Sequence, residues 1–132
     1  MNIDKHKERL KESLQVIEES VNTGILNRQR TIGFSVSAAS ADLFEIYLHQ
    51  NNLVDPGFIV KHEWFKSKNK LEEKFPFDFT YKKEIFAIMH GIETKRNALC
   101  YGIPQKEEII QKILFDFSKL KDLFKKNGIE IE

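Results

Sequence analysis

Apolar residues recur every three or four positions in four long stretches of the chain, and charged residues fill most of the positions between them. This spacing places the apolar side chains on one face of an α-helix. It predicts helices over residues 4–22, 27–51, 81–99 and 105–127. The apolar positions that define these helices are Leu10, Leu14, Ile17 and Val21; Ile32, Val36, Ala39, Leu43, Ile46 and Tyr47; Ile85, Ile88, Met89, Ile92 and Leu99; and Ile109, Ile110, Ile113, Leu114, Phe117, Leu120 and Phe124.

The stretches between these helices are less regular. Residues 58–75 have no single period and predict either one broken helix or two short ones. The phenylalanine-rich residues 75–81 predict a loop that packs on the core, with Thr80 able to cap the helix that follows. We expect the tail at residues 129–132 to fray.

The predicted architecture is all-α. No run alternates apolar and polar residues over more than a few positions, which a half-buried strand would require. We expect four main helices in an antiparallel bundle, with a shorter irregular helical segment between the second and the third. A length of 132 residues indicates a single domain over residues 1–132.

Composition narrows the class of protein. Hydrophobic residues make up 41% of the chain and charged residues 31%, which is too apolar for disorder and too charged for a membrane span. The 21 Lys and Arg residues balance 20 Asp and Glu, so a nucleic-acid site would have to be a local patch. The charged residues 1–14 lack the apolar core of a secretory signal, and we expect a cytoplasmic protein.

The cysteine and histidine content argues against a metal centre. Cys100 is the only cysteine, which excludes an intramolecular disulfide and a structural zinc site built from thiolates. None of the four histidines lies three or four positions from another, so metal ligands would have to come from distant parts of the fold. We therefore predict no metal and no other cofactor.

Two features allow two interpretations each. The small residues Gly33, Ser37, Ser40 and Ala41 form a strip on the second helix, suited to close packing inside the bundle or to self-association. The basic run at residues 66–70 is either a solvated turn or a phosphate-contacting patch beside the two aromatic residues that precede it.

The third helix ends in the sequence KRNALCYG, residues 95–102. Arg96 has two interpretations: it can offset the negative end of the helix dipole or extend over the core, or its planar guanidinium can bind a phosphate. In the second case Asn97 would hydrogen-bond the phosphate or hold the arginine, and Tyr101 would present a hydroxyl at the site.

This segment, placed between the third and fourth main helices, resembles the signature of HEPN domains: Arg, often Asn, several apolar residues, then His. The resemblance implies an all-helical homodimer that binds RNA or a nucleotide phosphate in a cleft between subunits. Many members of the family are metal-independent ribonucleases in toxin–antitoxin or defence systems. Tyr101 stands at the histidine position, and an ordinary tyrosine, with a pKa of about 10, is a poor base at neutral pH. The presence of tyrosine in place of histidine argues more strongly against RNA cleavage than against binding of RNA or a nucleotide.

We therefore expect Arg96, Asn97 and Tyr101 to be the catalytic residues, with Arg96, Asn97, Lys95 and His90 contacting the substrate. A hypothesis from another class is a non-catalytic helical partner or scaffold for a nucleotidyltransferase or another protein, because some HEPN proteins pair with small nucleotidyltransferases. A nucleotidyltransferase gene beside this one would favour the toxin–antitoxin class. Neither hypothesis involves a membrane.

Overall fold

The computed structural model describes residues 2–131 and confirms the predicted all-α fold. Within that range the chain forms five α-helices and two 3₁₀ turns, and it forms no strand. The α-helices are α1 (Ile3–Thr23), α2 (Gln29–Gln50), α3 (Lys68–Lys74), α4 (Lys82–Tyr101) and α5 (Glu107–Lys126), and the 3₁₀ turns are Ile25–Arg28 and His62–Lys66. The four long helices begin and end within two residues of their predicted positions. The less regular stretch forms two short helical pieces, the second of its two alternatives.

Contacts near the helix ends show that consecutive long helices run antiparallel. His6, near the start of α1, contacts Glu45, near the end of α2. The start of α2 lies against the end of α4. Asn127, which follows α5, donates to the carbonyl oxygen of Thr80, which precedes α4. The antiparallel arrangement of the four main helices is therefore as predicted.

The central helix of the bundle is α2. Every residue from 42 to 48 is buried, and seven consecutive residues span nearly two turns, so this part of α2 is covered on all sides. The neighbours that cover it are α1, α4 and α5. In the part of the chain that the structure describes, no helix combines the length and apolar character that crossing a membrane requires.

An aromatic cluster surrounds Phe44 of α2. The rings whose centroids lie between 4.9 and 6.3 Å from that of Phe44 are Phe65, Phe75, Phe79, Phe86 and Phe124. Tilted and edge-to-face pairs of this kind add stabilisation beyond the buried area alone. Phe75 is fully buried, and Phe77 and Phe79 are half-buried against the core. The prediction that the loop phenylalanines are structural is confirmed.

Two predictions at the ends of helices are wrong. Thr80 does not cap α4, because Tyr81 occupies that position in a left-handed conformation (φ 66°), and no side chain among residues 2–131 caps the helix. The C-terminal tail is not frayed at Ile129, which is buried and donates its backbone N–H to the carbonyl oxygen of Phe124 at 3.0 Å. Gly128, with φ of +93°, reverses the chain and returns Ile129 to the core.

Gly33 brings α2 and α4 close together. A Cβ atom at this position would lie 2.9 Å from Sγ of Cys100 and 3.0 Å from Cβ of Leu99, so a larger side chain would have to displace α4. Ser37 and Ser40 are also buried within the chain, whereas the fourth member of the small-residue strip is half-buried. These contacts support packing inside the bundle, and self-association through the strip stays a prediction.

Candidate functional site

A groove beside Arg96 is formed by α2, α4 and the connection that leads into the second 3₁₀ turn. Its volume is about 410 Å³. We call it the Arg96 groove, because Arg96 is the predicted site residue that lines it. The lining residues are Phe34, Ser37, Ala38, Ala41, Val60, Lys61, His62, Glu63 and Arg96.

Arg96 is held against an aromatic ring instead of a carboxylate. Its guanidinium carbon lies 5.0 Å from the centre of the Phe34 ring, a distance at which the ring face attracts a cation. Its Nε is buried and has no hydrogen-bond partner within residues 2–131. Because no ion pair within that range engages the guanidinium, its outer N–H groups remain available to a ligand in the groove.

His62 lines the same groove and is oriented by a buried carboxylate. Its Nδ1 lies 2.6 Å from Oε1 of Glu93, which is 2% exposed. Ser37 Oγ donates to the other oxygen of Glu93 at 3.2 Å. An Nδ1–H of His62 can donate to Glu93, and Nε2 lies on the other side of the ring, 3.6 Å from Oε2 of Glu63. Histidine is the side chain suited to proton transfer near neutral pH.

Tyr101 continues the site toward the surface. Its ring packs edge-on against Phe34, with centroids 5.8 Å apart, and Tyr101 is 66% exposed. The guanidinium carbon of Arg30 lies 5.6 Å from the centre of Phe34 and 5.8 Å from that of Tyr101. We call Arg30, Phe34, Arg96 and Tyr101 the arginine–aromatic cluster. Two guanidinium groups on one ring concentrate positive charge locally in a chain whose net charge is +1.

The other predicted site residues lie apart from this cluster. Asn97 is exposed on α4. The ammonium of Lys95 lies 3.7 Å from a carboxylate of α5, and Nδ1 of His90 lies 2.8 Å from the carbonyl oxygen of Phe65. His90 lines a different groove of about 920 Å³, between α3 and α4. Because each helical step turns the side chain by about 100°, Lys95 and His90 have neighbours other than those of Arg96.

Sequence reasoning missed His62, Phe34 and Arg30. His62 follows a stretch without helical period, so its position could not be inferred from spacing. Arg30 and Phe34 lie four positions apart on α2, which places them on one face of the helix. Glu93 lies three positions before Arg96, so their shared face was a usable signal for an acidic partner in the groove.

The basic run and its aromatic neighbours favour the solvated-turn interpretation. Phe65 is 2% exposed and cannot stack on a base. Trp64 is half-buried, packs against Phe58, and has the ammonium of Lys74 4.9 Å from its ring centre. Ser67 caps α3 by accepting from a backbone N–H, and the lysines of the run are exposed.

A second polar cluster is buried between α1 and α2. Nδ1 of His6 lies 2.9 Å from Oδ1 of Asp42, and Nε2 of His6 contacts Oε2 of Glu45. His49 stacks on His6, with ring centroids 6.2 Å apart and planes 13° apart. Burial raises the pKa of Asp42, and the hydrogen bond from His6 offsets part of that rise. We call His6, Asp42, Glu45 and His49 the histidine–carboxylate cluster.

Comparison of this chain with protein-family models, with curated proteins and with solved structures found no match. The resemblance to HEPN domains therefore depends on residues 95–102 and on the order of the helices. Any assignment of function to this chain depends on the geometry of its own grooves.

Proposed function

We propose that the Arg96 groove binds the phosphate backbone of RNA, or a nucleotide phosphate, in a HEPN-like homodimer. The observation that carries this proposal is a guanidinium that no carboxylate neutralises in the described part of the chain, placed in an open groove beside a carboxylate-oriented histidine. A planar guanidinium donates two parallel hydrogen bonds to a phosphate. Phe34 supports this guanidinium from one side, so little side-chain freedom is lost when a phosphate binds.

Positive charge near the groove supports an anionic ligand. Arg30 shares the Phe34 ring with Arg96, and Lys61 is exposed at the groove. The chain as a whole is nearly neutral, so binding depends on these few cations and not on a broad basic surface. We therefore expect affinity for RNA to fall with added salt, with the shallow dependence of a small number of phosphate contacts.

His62 supplies the base that the motif itself lacks. In the proposed cleavage, Nε2 of His62 removes the proton of a ribose 2′-hydroxyl, and the 2′-oxygen attacks the adjacent phosphorus. The bond to the 5′-oxygen breaks, that oxygen takes a proton from solvent, and the products carry a 2′,3′-cyclic phosphate and a 5′-hydroxyl. Arg96 stabilises the negative charge that develops on the phosphate. Tyr101 does not act as a base in this mechanism. Its ring extends the surface that binds RNA.

Exposed apolar residues beside the motif support the homodimer. Ile103 is 80% exposed, Tyr101 66% and Leu26 52%. Gln29 bonds to the carbonyl oxygens of both Leu26 and Gln105, so the first 3₁₀ turn and the α4–α5 connection lie side by side. Apolar side chains grouped in this way are typical of protein–protein contacts. Tyr101 packs on Phe34, which lines the Arg96 groove, so a dimer through this face would lie beside that groove.

The binding experiment is anisotropy of a fluorescent single-stranded RNA titrated with wild type, Arg96→Ala and Lys119→Ala. Lys119 is exposed on α5 and is not among the groove residues, so its variant controls for the loss of one positive charge. We expect Arg96→Ala to weaken binding by roughly tenfold or more, as for loss of a charge-assisted contact. Equal affinities for the Arg96→Ala and Lys119→Ala variants would contradict the proposal.

The same exposed apolar face favours a second candidate, a non-catalytic partner of a nucleotidyltransferase. In that case Ile103 and Tyr101 would be buried against the enzyme instead of a second copy. The test is co-expression with a nucleotidyltransferase encoded beside this chain, followed by size-exclusion chromatography of wild type and Ile103→Glu. A stoichiometric complex that Ile103→Glu dissociates would favour this candidate. Separate elution of the two wild-type proteins would exclude it for that enzyme.

A further inference from the structure

Three potential metal-binding side chains meet between α1 and α2. Glu45 and His49 are four positions apart on one face of α2, and His6 reaches them from α1. One ligand atom from each of the three residues lies within 4.8 Å of the other two. His6 and Glu45 are each 3% exposed. The sequence-based prediction of no metal assumed that ligands would have to come from distant parts of the fold, and the packing of α1 on α2 provides such ligands.

Two buried atoms in this group pair with each other. Nε2 of His6 and Oε2 of Glu45 are in close contact, and neither has a hydrogen-bond partner elsewhere within residues 2–131. No ion fits between them at this contact, so metal binding requires the two side chains to move apart. A cation bound by the ring nitrogen and the carboxylate oxygen would then replace their direct contact.

Neighbouring groups orient these two ligands. Nδ1 of His6 lies 2.9 Å from Oδ1 of Asp42, and a hydrogen bond from Nδ1 to this oxygen would leave the lone pair of Nε2 for a metal ion. The backbone N–H of Val60 donates to Oε1 of Glu45, which leaves Oε2 directed at His6. Carboxylates and backbone groups that hold metal ligands in this way are typical of protein metal sites.

We propose that His6 Nε2, Glu45 Oε2 and His49 Nε2 bind one divalent transition-metal ion. Two imidazoles and one carboxylate suit Zn²⁺, which takes three protein ligands and a water in open tetrahedral sites. A groove of about 400 Å³, lined by His6 and Glu45, lies beside this group. This inference does not depend on the proposed function of the Arg96 groove.

His49 changes its hydrogen bonding when the metal binds. Its Nε2 lies 3.7 Å from Oε2 of Glu45 and 3.2 Å from the carbonyl oxygen of Phe58. Without metal, an Nε2–H donates to that carbonyl. With metal, the ring takes the tautomer with hydrogen on Nδ1 and turns away from the Phe58 carbonyl, so that the lone pair of Nε2 points at the ion. The ion then links α1 to α2, so metal stabilises the folded chain.

The first measurement is the visible spectrum of chelator-treated protein titrated with Co²⁺, which replaces Zn²⁺ and absorbs strongly in tetrahedral sites. The variants are His49→Gln, Glu45→Gln and, as a matched control, His62→Gln, which removes another carboxylate-paired histidine outside the group. We expect intense bands that saturate at one Co²⁺ per chain and that excess Zn²⁺ abolishes. His62→Gln should keep these bands, and His49→Gln and Glu45→Gln should lose them.

The second measurement is the melting temperature with and without Zn²⁺, with circular dichroism to confirm that each variant is helical. Zn²⁺ should raise the melting temperature of wild type and His62→Gln but not of His49→Gln. His49→Gln leaves the Glu45 carboxylate and its bond to the Val60 N–H in place, so this variant keeps the test decisive if Glu45→Gln fails to fold. Absence of bands in wild type would overturn the proposal and leave His6 only as a buried contact between its two carboxylates. Retention of the bands in His49→Gln, or their loss in His62→Gln, would also overturn it.

Discussion

The Arg96 groove and the histidine–carboxylate cluster place histidine beside carboxylate in opposite environments. In the groove, His62 is partly exposed, buried Glu93 holds one ring nitrogen, and exposed Glu63 and a cation lie nearby. In the cluster, His6 is 3% exposed and contacts two carboxylates. An open histidine can exchange protons with a ligand, whereas an enclosed one can only hold an ion or join two helices. The comparison shows that accessibility decides which chemistry the same pair of residue types can perform.

The largest expected effect on stability lies in the buried cluster. Glu45→Ala removes the acceptor of Val60 N–H and the partner of His6. Breaking a buried polar pair of this kind costs about 3–5 kcal/mol. Urea denaturation in the presence of EDTA should detect this loss. The control is Glu19→Ala, an exposed change on α1, whose free energy of unfolding should stay within about 0.5 kcal/mol of wild type. Arg96→Ala in the open groove should cost only about 1 kcal/mol. Equal losses of stability for Glu45→Ala and Arg96→Ala would contradict the difference between the buried cluster and the open groove.

The next effect concerns catalysis in the groove. His62→Gln removes the proposed base and should lower RNA cleavage by roughly 10²-fold or more. Binding of RNA should be retained, because Arg96 and Phe34 stay in place. Anisotropy and product formation, measured on the same preparation, separate the two effects. Parallel loss of binding and cleavage would mean that His62 is part of the binding surface and not the base.

A third prediction concerns the helix contact beneath the groove. Gly33→Ala places a methyl group 2.9 Å from Sγ of Cys100 and 3.0 Å from Cβ of Leu99, so α4 must shift. Overpacking of this kind costs about 1–3 kcal/mol. Gly57→Ala is the matched control, since none of the residues that the structure describes has an atom within 4 Å of its added carbon. Thermal denaturation should show a lower melting temperature for Gly33→Ala alone. An unchanged melting temperature for Gly33→Ala would contradict this prediction and mean that α2 and α4 move apart without loss of stability.

The smallest effect is a pH dependence at Cys100. Burial raises the pKa of this thiol, and the charges of Arg96 and Arg30 offset part of the rise. The thiol therefore stays protonated to higher pH in the folded chain than in the unfolded chain. Its contribution to the free energy of unfolding is present below the ordinary cysteine pKa and is lost as the pH rises through the pKa of the folded chain. Urea denaturation between pH 7.5 and 10 should show a steeper loss of stability for wild type than for Cys100→Ala. Identical slopes would contradict this assignment.

The helices were predictable because their signal is local. Three- and four-residue periodicity fixed the four long helices, and residues 95–102 located Arg96 and Tyr101 without knowledge of the fold. The partners of Arg96 were harder to infer. His62 comes from an irregular connection, and its pairing with Glu93 depends on how that connection crosses α4.

The histidine–carboxylate cluster was not predictable from spacing between histidines. Its members on α2 include residues of different types, with Glu45 and His49 four positions apart, and His6 joins them only because α1 packs antiparallel on α2. The start of α4 and the chain that follows α5 were also not predictable from local sequence. Tyr81 and Ile129 owe their positions to contacts with the core, which no local capping signal describes.

The central claim is that Arg96 and His62 act together on a phosphodiester. The most direct test is incubation of wild type, Arg96→Ala and His62→Gln with mixed cellular RNA in the presence of EDTA, followed by analysis of the product ends. The proposal predicts cleavage by wild type alone, with cyclic phosphate and 5′-hydroxyl ends. Cleavage that survives Arg96→Ala, or that leaves 5′-phosphate ends, would contradict it. Absence of cleavage by wild type would reject catalysis and leave Arg96 only as a possible phosphate contact.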